Sequence, residues 1–217
     1  NDATPDVVIN VAEAGTIAVG GTSGCDSAES AVASGANTIT LDGDGAGGAM
    51  SDGTYTCTIT FTDSLGNAAS ALTLTAFTID TTVAAATEGT AVSTPGNDGT
   101  PDVVISVAEA GTVAVGGSCG TSTAAAVSSG SNTLTLTDDD DSSALGEGTY
   151  NDCTVTFTDS AGNAAAALTL TAFVIDTTVA AATETTAVTT PGNDATPDVV
   201  INVAEAGTIA VGGTSGC

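Results

Sequence analysis

The stretch Thr56-Cys57-Thr58-Ile59-Thr60-Phe61-Thr62 alternates polar and apolar residues without a break. Such alternation points successive side chains to opposite faces, which is the pattern of a β-strand with one buried face. Threonine, isoleucine and phenylalanine also favour strands. The same alternation recurs at 71–77 and 132–137, and clusters of glycine and aspartate separate the runs at the spacing of turns. The sequence therefore predicts an all-β protein.

A long internal repeat organises the chain. Residues 1–9 return with one change at 97–105 and unchanged at 193–201, a spacing of 96 residues each time. This period suits one small β-sandwich per repeat. Residues 193–217 match 1–25 at every position, whereas the middle copy differs, which indicates a super-repeat of 192 residues. The interpretation is that the sequence is a window onto a longer repeated product.

The repeat predicts three units. Residues 1–80 form a domain without its first strand, 81–176 form a complete domain, and 177–217 form the N-terminal part of a third. The predicted strands of the complete domain lie at 83–87, 102–108, 112–116, 121–127, 132–137, 149–158 and 166–175.

Charge excludes several classes of function. Among 217 residues there are 26 acidic ones and no Lys, Arg or His, which gives a formal net charge of −26. Nucleic-acid binding has no electrostatic basis without cations. The chain has no Lys for a Schiff base, no His for a Ser-His pair and no Arg to clamp a phosphoryl group, so these classes of catalysis are excluded. No apolar run of about 18 residues occurs, so no membrane insertion is predicted in this segment. The remaining groups favour binding of hard cations.

The cysteines predict disulfides. Each full repeat carries two, which we expect to pair as Cys25 with Cys57 and Cys119 with Cys153; Cys217 aligns with Cys25, and its partner would lie outside the window. Closing loops of this length contributes about 3–4 kcal/mol. Disulfides in small β-domains indicate an oxidising, extracellular compartment. A catalytic or metal-binding thiol is disfavoured because no base lies nearby and no C-x-x-C motif occurs.

Several motifs occur in a fixed order in both copies. Asp52-Gly-Thr-Tyr55-Thr-Cys57 resembles the tyrosine-corner strand of immunoglobulin folds, and the second copy, Gly148-Thr-Tyr150-Asn-Asp-Cys153, has one extra residue that predicts a bulge. With Thr158-Asp-Ser-Ala-Gly-Asn163 and Phe173-Val-Ile-Asp-Thr-Thr178, the order resembles tandem bacterial Ig-like domains, which build the stalks of secreted adhesins and other surface fibres.

This resemblance implies tandem immunoglobulin-like Greek-key sandwiches of about 96 residues, with one disulfide inside each. Two departures concern function. The third strand has no Trp, and the first Cys follows that strand, so the antibody-type bridge between sheets is absent. An antibody-like binding role therefore does not carry over.

The resemblance also implies calcium at the domain junctions, because related stalks often hold it there. In an Ig-like topology the B–C and F–G turns lie at the pole where the preceding domain ends. Carboxylate and amide oxygens are the ligands that Ca²⁺ takes. The expected ligands are Asp80, Glu109, Asp159 and Asn163 at one junction, Asp176 and Glu205 at the next, and Glu13, Asp63 and Asn67 as a half-site facing a domain before residue 1.

The alternative is ordinary turn chemistry, because Asp and Asn cap their own backbone in turns. Both interpretations stay open for the junction residues. Three further groups are weighed in the same way, with turns and solvated loops favoured over metal. They are Asp42 with Asp44, the run Asp138 to Asp141, and Asn97 with Asp98 and Asp102.

The favoured function is structural: a repeat segment of an extracellular, secreted adhesin stalk or cell-surface filament, of the kind found in biofilms. Its partners would be neighbouring repeats of the same chain or identical chains, and the adhesion target is not specified by the sequence. One alternative is strand donation between subunits. A second is a glycan- or protein-binding module that uses the variable loops 42–52 and 138–148. An enzyme is not predicted, because Glu13, Glu109 and Glu205 recur without a second placed carboxylate.

Overall fold

The computed structural model describes residues 2–123 and 125–213, and within them every regular element is a β-strand. The prediction of an all-β protein is confirmed. Below, the first, second and third units are the predicted segments 1–80, 81–176 and 177–217. The first unit contains β1 (Asp6–Val11), β2 (Gly15–Gly21), β3 (Ala31–Val32), β4 (Gly35–Thr40), β5 (Gly53–Tyr55), β6 (Cys57–Asp63), β7 (Leu72–Thr73) and β8 (Phe77–Ile79).

The first unit consists of one four-stranded sheet and two strand pairs. The sheet has the order β3-β2-β6-β7, and the pairs are β1 with β4 and β5 with β8. All its described strand pairings are antiparallel. The apolar side chains of alternating positions in β4 and β6, such as Ile39 and Ile59, are buried in one cluster drawn from residues 9–79.

The second unit has two four-stranded sheets, ordered β12-β14-β10-β9 and β13-β11-β16-β17, and the pair β15-β18. Both sheets contribute to one core, which includes the fully buried Leu134, Phe157 and Phe173. Its strands are β9 (Thr87–Thr90), β10 (Asp102–Val107), β11 (Gly111–Gly116), β12 (Gly120–Thr121), β13 (Ala126–Val127), β14 (Gly130–Thr137), β15 (Gly148–Tyr150), β16 (Thr154–Asp159), β17 (Leu168–Thr169) and β18 (Phe173–Ile175).

The third unit shows one hairpin within its described residues. It is formed by β19 (Thr183–Thr186) and β20 (Val200–Asn202). Large apolar side chains of this unit are exposed, among them Val179, Ile209 and Val211.

Both predicted disulfides are present. Cys25 pairs with Cys57 at a Cα–Cα distance of 5.6 Å, and Cys119 pairs with Cys153 at 5.3 Å. These cysteines are buried in their respective cores. Cys217 lies outside the described residues.

The two tyrosines occupy equivalent places. The Tyr55 hydroxyl donates to the carbonyl oxygen of Ser51 at 2.8 Å, and the Tyr150 hydroxyl donates to that of Gly146 at 3.0 Å. Each ring stacks on a phenylalanine of the paired strand, Phe77 or Phe173.

The strands predicted for the second unit differ from the structure at four places. The first lies at Thr87–Thr90 instead of 83–87, and the described residues of 121–127 contain the end of β12 and the short strand β13 in place of one continuous strand. The segment 149–158 is broken, because β15 pairs with β18 whereas β16 pairs with β11. The extra residue between Tyr150 and Cys153 therefore lies in a break between strands rather than in a bulge. The segment 166–175 divides into β17 and β18 in the same way.

Candidate functional site

The turn after β16 fixes a buried carboxylate. The Asn163 amide N–H donates to Asp159 Oδ1 at 2.8 Å, and its side-chain Nδ2 donates to Oδ2 at 2.8 Å. Asp159 and Asn163 are only 5% and 9% exposed. Burial acts to raise the pKa of Asp159, but hydrogen bonds from the Asn163 side chain and from the turn backbone outweigh it and lower the pKa. Asp159 is thus held as a carboxylate.

Glu109 is brought to the same place by the turn between β10 and β11. Gly111 starts β11 and lies opposite Asp159 in the antiparallel ladder. A Cβ at Gly111 would overlap the carbonyl oxygen of Thr158 and lie 2.7 Å from the Phe157 ring, so only glycine allows this approach. The close contact of the two strands places the Glu109 side chain beside Asp159.

Asp80 comes from the first unit, directly after β8. Its carbonyl oxygen accepts a hydrogen bond from Asn163 Nδ2 at 3.0 Å, which ties the end of the first unit to the turn of the second. Asp80, Glu109 and Asp159 each offer a carboxylate oxygen, and these oxygens lie within 4.8 Å of one another. Four residues predicted to meet at this junction, Asp80, Glu109, Asp159 and Asn163, therefore do so.

The three carboxylates of this junction repel one another. Burial, followed by the negative charges of Asp159 and Asp80, raises the pKa of Glu109. The chain contains no Lys, Arg or His that could compensate these charges.

The equivalent turn in the first unit has the same local geometry and no neighbouring Asp80. The Asn67 amide N–H and Nδ2 donate to Asp63 at 2.8 Å and 2.7 Å, and these bonds from Asn67 lower the Asp63 pKa. Asn67 is exposed and Asp63 only half-buried. Glu13, the third residue of the predicted half-site, is also exposed and belongs to no group of three carboxylates among the described residues.

The predicted pair at the following junction is not assembled in the described part of the chain. Asp176 and Glu205 are both exposed, and neither belongs to a group of three potential ligands among residues 2–123 and 125–213.

The remaining acidic groups make turn hydrogen bonds. Asp42 is 1% exposed and accepts backbone N–H groups of Gly45, Gly47, Asp44 and Ala28 at 2.5–3.1 Å. Burial acts to raise its pKa, and these bonds lower it overall.

The second acidic run behaves in the same way. Asp140 accepts hydrogen bonds from the amides of Ser142 and Ser143 and from the Ser143 hydroxyl. These bonds lower the pKa of Asp140 to about 2, and the bond from the Ser143 hydroxyl has the largest effect. Asp98 accepts from Thr100, and Asp102 accepts from the Thr135 hydroxyl. Asp140 and Asp98 thus make hydrogen bonds within turns, whereas Asp102 is bonded across the β10–β14 strand pair.

Two acidic residues that sequence reasoning missed hold the segments that leave each unit. Asp52 accepts the amide and hydroxyl of Thr81 at 2.8 Å and 2.7 Å and the Thr82 hydroxyl at 2.8 Å. Glu147 accepts the amide and hydroxyl of Thr177 at 3.0 Å and 3.1 Å. The signal was present in the sequence, since an acidic residue precedes Gly-Thr-Tyr and Thr-Thr follows Ile-Asp in both copies.

Comparison with known protein families and with curated proteins gives no match to this sequence. None of the described residues forms a helix that is long and apolar enough to cross a membrane.

Proposed function

We propose that the chain is a structural segment of an extracellular, cell-surface stalk or filament, of the adhesin type, built from tandem immunoglobulin-like sandwiches. Disulfides stabilise each sandwich, and calcium stiffens the junction between neighbouring repeats. In this proposal the segment provides length and rigidity, and it carries no catalytic activity.

The strand order supports the immunoglobulin-like interpretation. In the second unit β9, β10 and β14 would be strands A, B and E of one sheet, and β11, β16 and β17 would be strands C, F and G of the other. The Tyr55 and Tyr150 hydroxyls bond backbone carbonyls four residues upstream, as a tyrosine corner does.

The extracellular location is supported by the two disulfides, since such bridges persist in oxidising compartments. A structural role is supported by the repeat itself, because similar units in series extend a chain without adding different sites.

The observation that carries the calcium proposal is the meeting of Asp80 with Glu109 and Asp159 across the junction. The ligand chemistry fits, because hard divalent cations take carboxylate and carbonyl oxygens. A bound cation would offset the mutual repulsion of the three carboxylates and would link the end of one unit to two turns of the next.

Titration calorimetry with CaCl₂ tests this site on the whole chain. We expect the Asp159→Asn variant to bind more weakly, on the order of tenfold or more, because affinity depends on the number of charged ligands. Asp63→Asn is the matched control, since it alters the same turn hydrogen bonds where Asp80 has no counterpart. Equal affinities for the two variants, or no calcium binding to the unaltered chain, would refute the site.

A further inference from the structure

The residues that follow β8 are held by the two units in alternation. Ile79 ends the strand and is buried in the core of the first unit. Asp80 is tied to the second unit, because its carbonyl oxygen accepts a hydrogen bond from the Asn163 side chain at 3.0 Å. Thr81 and Thr82 are tied back to the first unit by hydrogen bonds of their own. Residues 80–82, called the exit segment below, therefore contact both units.

The return to the first unit is made by one carboxylate, that of Asp52. Its Oδ1 accepts the amide and the hydroxyl of Thr81 at 2.8 Å and 2.7 Å, and its Oδ2 accepts the Thr82 hydroxyl at 2.8 Å. Hydrogen bonds to an ionised acceptor are stronger than bonds between neutral groups. Directly after the exit segment, Val83 packs against the core of the second unit. Each residue from 79 to 83 is thus engaged by one unit or the other.

Asp52 acts on the exit segment rather than on the sheet. The ladder between β5 and β8 ends with Gly53 opposite Ile79. Asp52 lies before β5, and its partners Thr81 and Thr82 lie beyond β8. The hydrogen bonds of Asp52 therefore extend the hold of the first unit past the last pair of the ladder.

Asp80 lies between two residues that the first unit fixes. Ile79 is fixed by the ladder with β5, and Thr81 is fixed by Asp52. A hinge needs residues whose backbone angles can change freely. The backbone of Asp80 is restrained on both sides, so the exit segment leaves the first unit in a defined direction.

Two polar groups of Asp80 depend on this direction. Its carbonyl oxygen accepts the hydrogen bond from Asn163, and one of its carboxylate oxygens lies within 4.8 Å of those of Glu109 and Asp159. Groups that approach a cation are commonly held in orientation by a further layer of hydrogen bonds. Asp52 provides such support to Asp80 through the backbone.

The second unit repeats this clamp with a longer side chain. Glu147 accepts the amide and the hydroxyl of Thr177 at 3.0 Å and 3.1 Å. Gly148 lies opposite Ile175, which is the same register as in the first unit. Glu147 and Asp52 therefore occupy equivalent positions, and a carboxylate on either side chain reaches the threonine that follows Ile-Asp.

We propose that Asp52 is a positioning residue of the junction, which fixes the exit segment so that Asp80 meets Glu109 and Asp159. The inference rests on the proposed function where it concerns calcium, because Asp80 is one of the proposed ligands. The direction of the exit segment can be measured without any metal, so the role of Asp52 can be tested separately from calcium binding.

Spin-label distance measurements in EDTA test this direction on the whole chain. Nitroxide labels are attached at Ala18→Cys and Ala114→Cys, which are exposed, equivalent strand positions in the first and second units, with Cys217→Ser in all variants. We expect a narrow distribution of distances between the two labels. Asp52→Asn should broaden it, because Ile79 would then be the last residue that the first unit holds firmly.

Three further variants separate positioning from other effects. The double variant Thr81→Val, Thr82→Val keeps the charge of Asp52 and removes two of its three hydrogen bonds, so it should also broaden the distribution. Asp52→Glu keeps a carboxylate that reaches the exit segment, as Glu147 does in the second unit, and should leave the distribution narrow. Glu147→Gln removes charge at the other clamp and should leave it unchanged. Hydrogen exchange of β5 and β8 checks that the first unit stays folded.

Titration calorimetry with CaCl₂ on the same variants without labels measures the consequence for the metal site. Asp52→Asn and the double threonine variant should weaken binding on the order of threefold to tenfold, because affinity falls with the fraction of chains whose site is assembled. Asp52→Glu and Glu147→Gln should bind as the unaltered chain does.

The two measurements can fail separately. If the unaltered chain binds no calcium, the proposed function is wrong, and the label distances alone decide the role of Asp52. The proposal is overturned by a distribution that is already broad without substitution, or that neither Asp52→Asn nor the double threonine variant broadens. Equal broadening by Glu147→Gln, or unchanged calcium affinity in a variant with a broadened distribution, would overturn it as well.

Discussion

Thr137 shows how one position can differ in chemistry between equivalent sites. Its structural counterpart in the first unit is Asp42, because Asp6 pairs with Thr40 in β1–β4 as Asp102 pairs with Thr135 in β10–β14, and both side chains are 1% exposed. The Thr137 hydroxyl has no hydrogen-bond partner in the described structure. A buried hydroxyl without a partner is destabilising, whereas the Asp42 carboxylate at the equivalent place accepts four backbone N–H groups.

Thr137→Val is therefore expected to stabilise the second unit by about 1 kcal/mol, since it keeps the side-chain shape and removes the unpartnered hydroxyl. Urea unfolding followed by hydrogen-exchange mass spectrometry would report this unit separately. Thr135→Val is the control, because the Thr135 hydroxyl donates to Asp102 at 2.7 Å and its loss should not stabilise. No gain for Thr137→Val would contradict the assignment.

Asp52 makes the stability of the first unit depend on pH. Hydrogen bonds from the side chains of Thr81 and Thr82 lower its pKa from the ordinary value of 3.8. A carboxylate whose pKa is lowered by folding contributes stability above the unfolded value, and this contribution is lost as the pH falls through the folded value.

We expect Asp52→Asn to be less stable than the unaltered chain at neutral pH, with the difference shrinking below pH 3.8. Denaturation of both proteins between pH 2 and pH 7 measures the difference. A gap that stays constant with pH would show that the carboxylate charge is not what holds Thr81 and Thr82.

At the scale of strands and loops, each disulfide lies at one end of a long antiparallel strand pair, β2 with β6 in the first unit and β11 with β16 in the second. Cys119 follows β11 and Cys153 precedes β16, and the bridge closes a loop of 34 residues. Replacing both cysteines of this bridge by alanine should destabilise the second unit by about 3–4 kcal/mol. The same change at Cys25 and Cys57 should act on the first unit. Unfolding followed by hydrogen exchange measures the stability of each unit separately. The expectation is wrong if either pair of substitutions destabilises the two units equally.

The long strands could be predicted from the sequence because their two faces differ. Strands β6, β10 and β14 alternate over six to eight residues, so periodicity alone identifies them. The two-residue strands β12 and β13 carry no such signal, since tertiary contacts decide whether so short a segment pairs. The first strand was misplaced because Val83 to Ala86 are as apolar as a strand interior, yet pairing with β10 begins at Thr87.

The junction could be predicted in part. Glu109 and Asp159 sit in recurring turns, so a sandwich topology was enough to bring them to the same end. Asp52 and Glu147 were missed because their partners, Thr81 and Thr177, lie about 30 residues further along the chain. Only the pairing of β5 with β8 and of β15 with β18 brings these residues together.

At the scale of the whole molecule, the uncompensated negative charge favours extended dimensions. With 26 acidic residues and no basic ones, every carboxylate repels the others, and monovalent salt relieves this only by screening. A divalent cation at Asp80, Glu109 and Asp159 would act differently, because it would join two units at one point. Screening and site binding can therefore be distinguished in the same experiment.

Small-angle X-ray scattering on the monomer peak of a sizing column makes this distinction. We expect CaCl₂ to narrow the distribution of interatomic distances relative to EDTA, and NaCl at equal ionic strength to have a smaller effect. Asp159→Asn in calcium should resemble the EDTA state, whereas Asp63→Asn should respond as the unaltered chain does. If the dimensions in calcium and EDTA are the same at matched ionic strength, the junction is not stiffened by the metal.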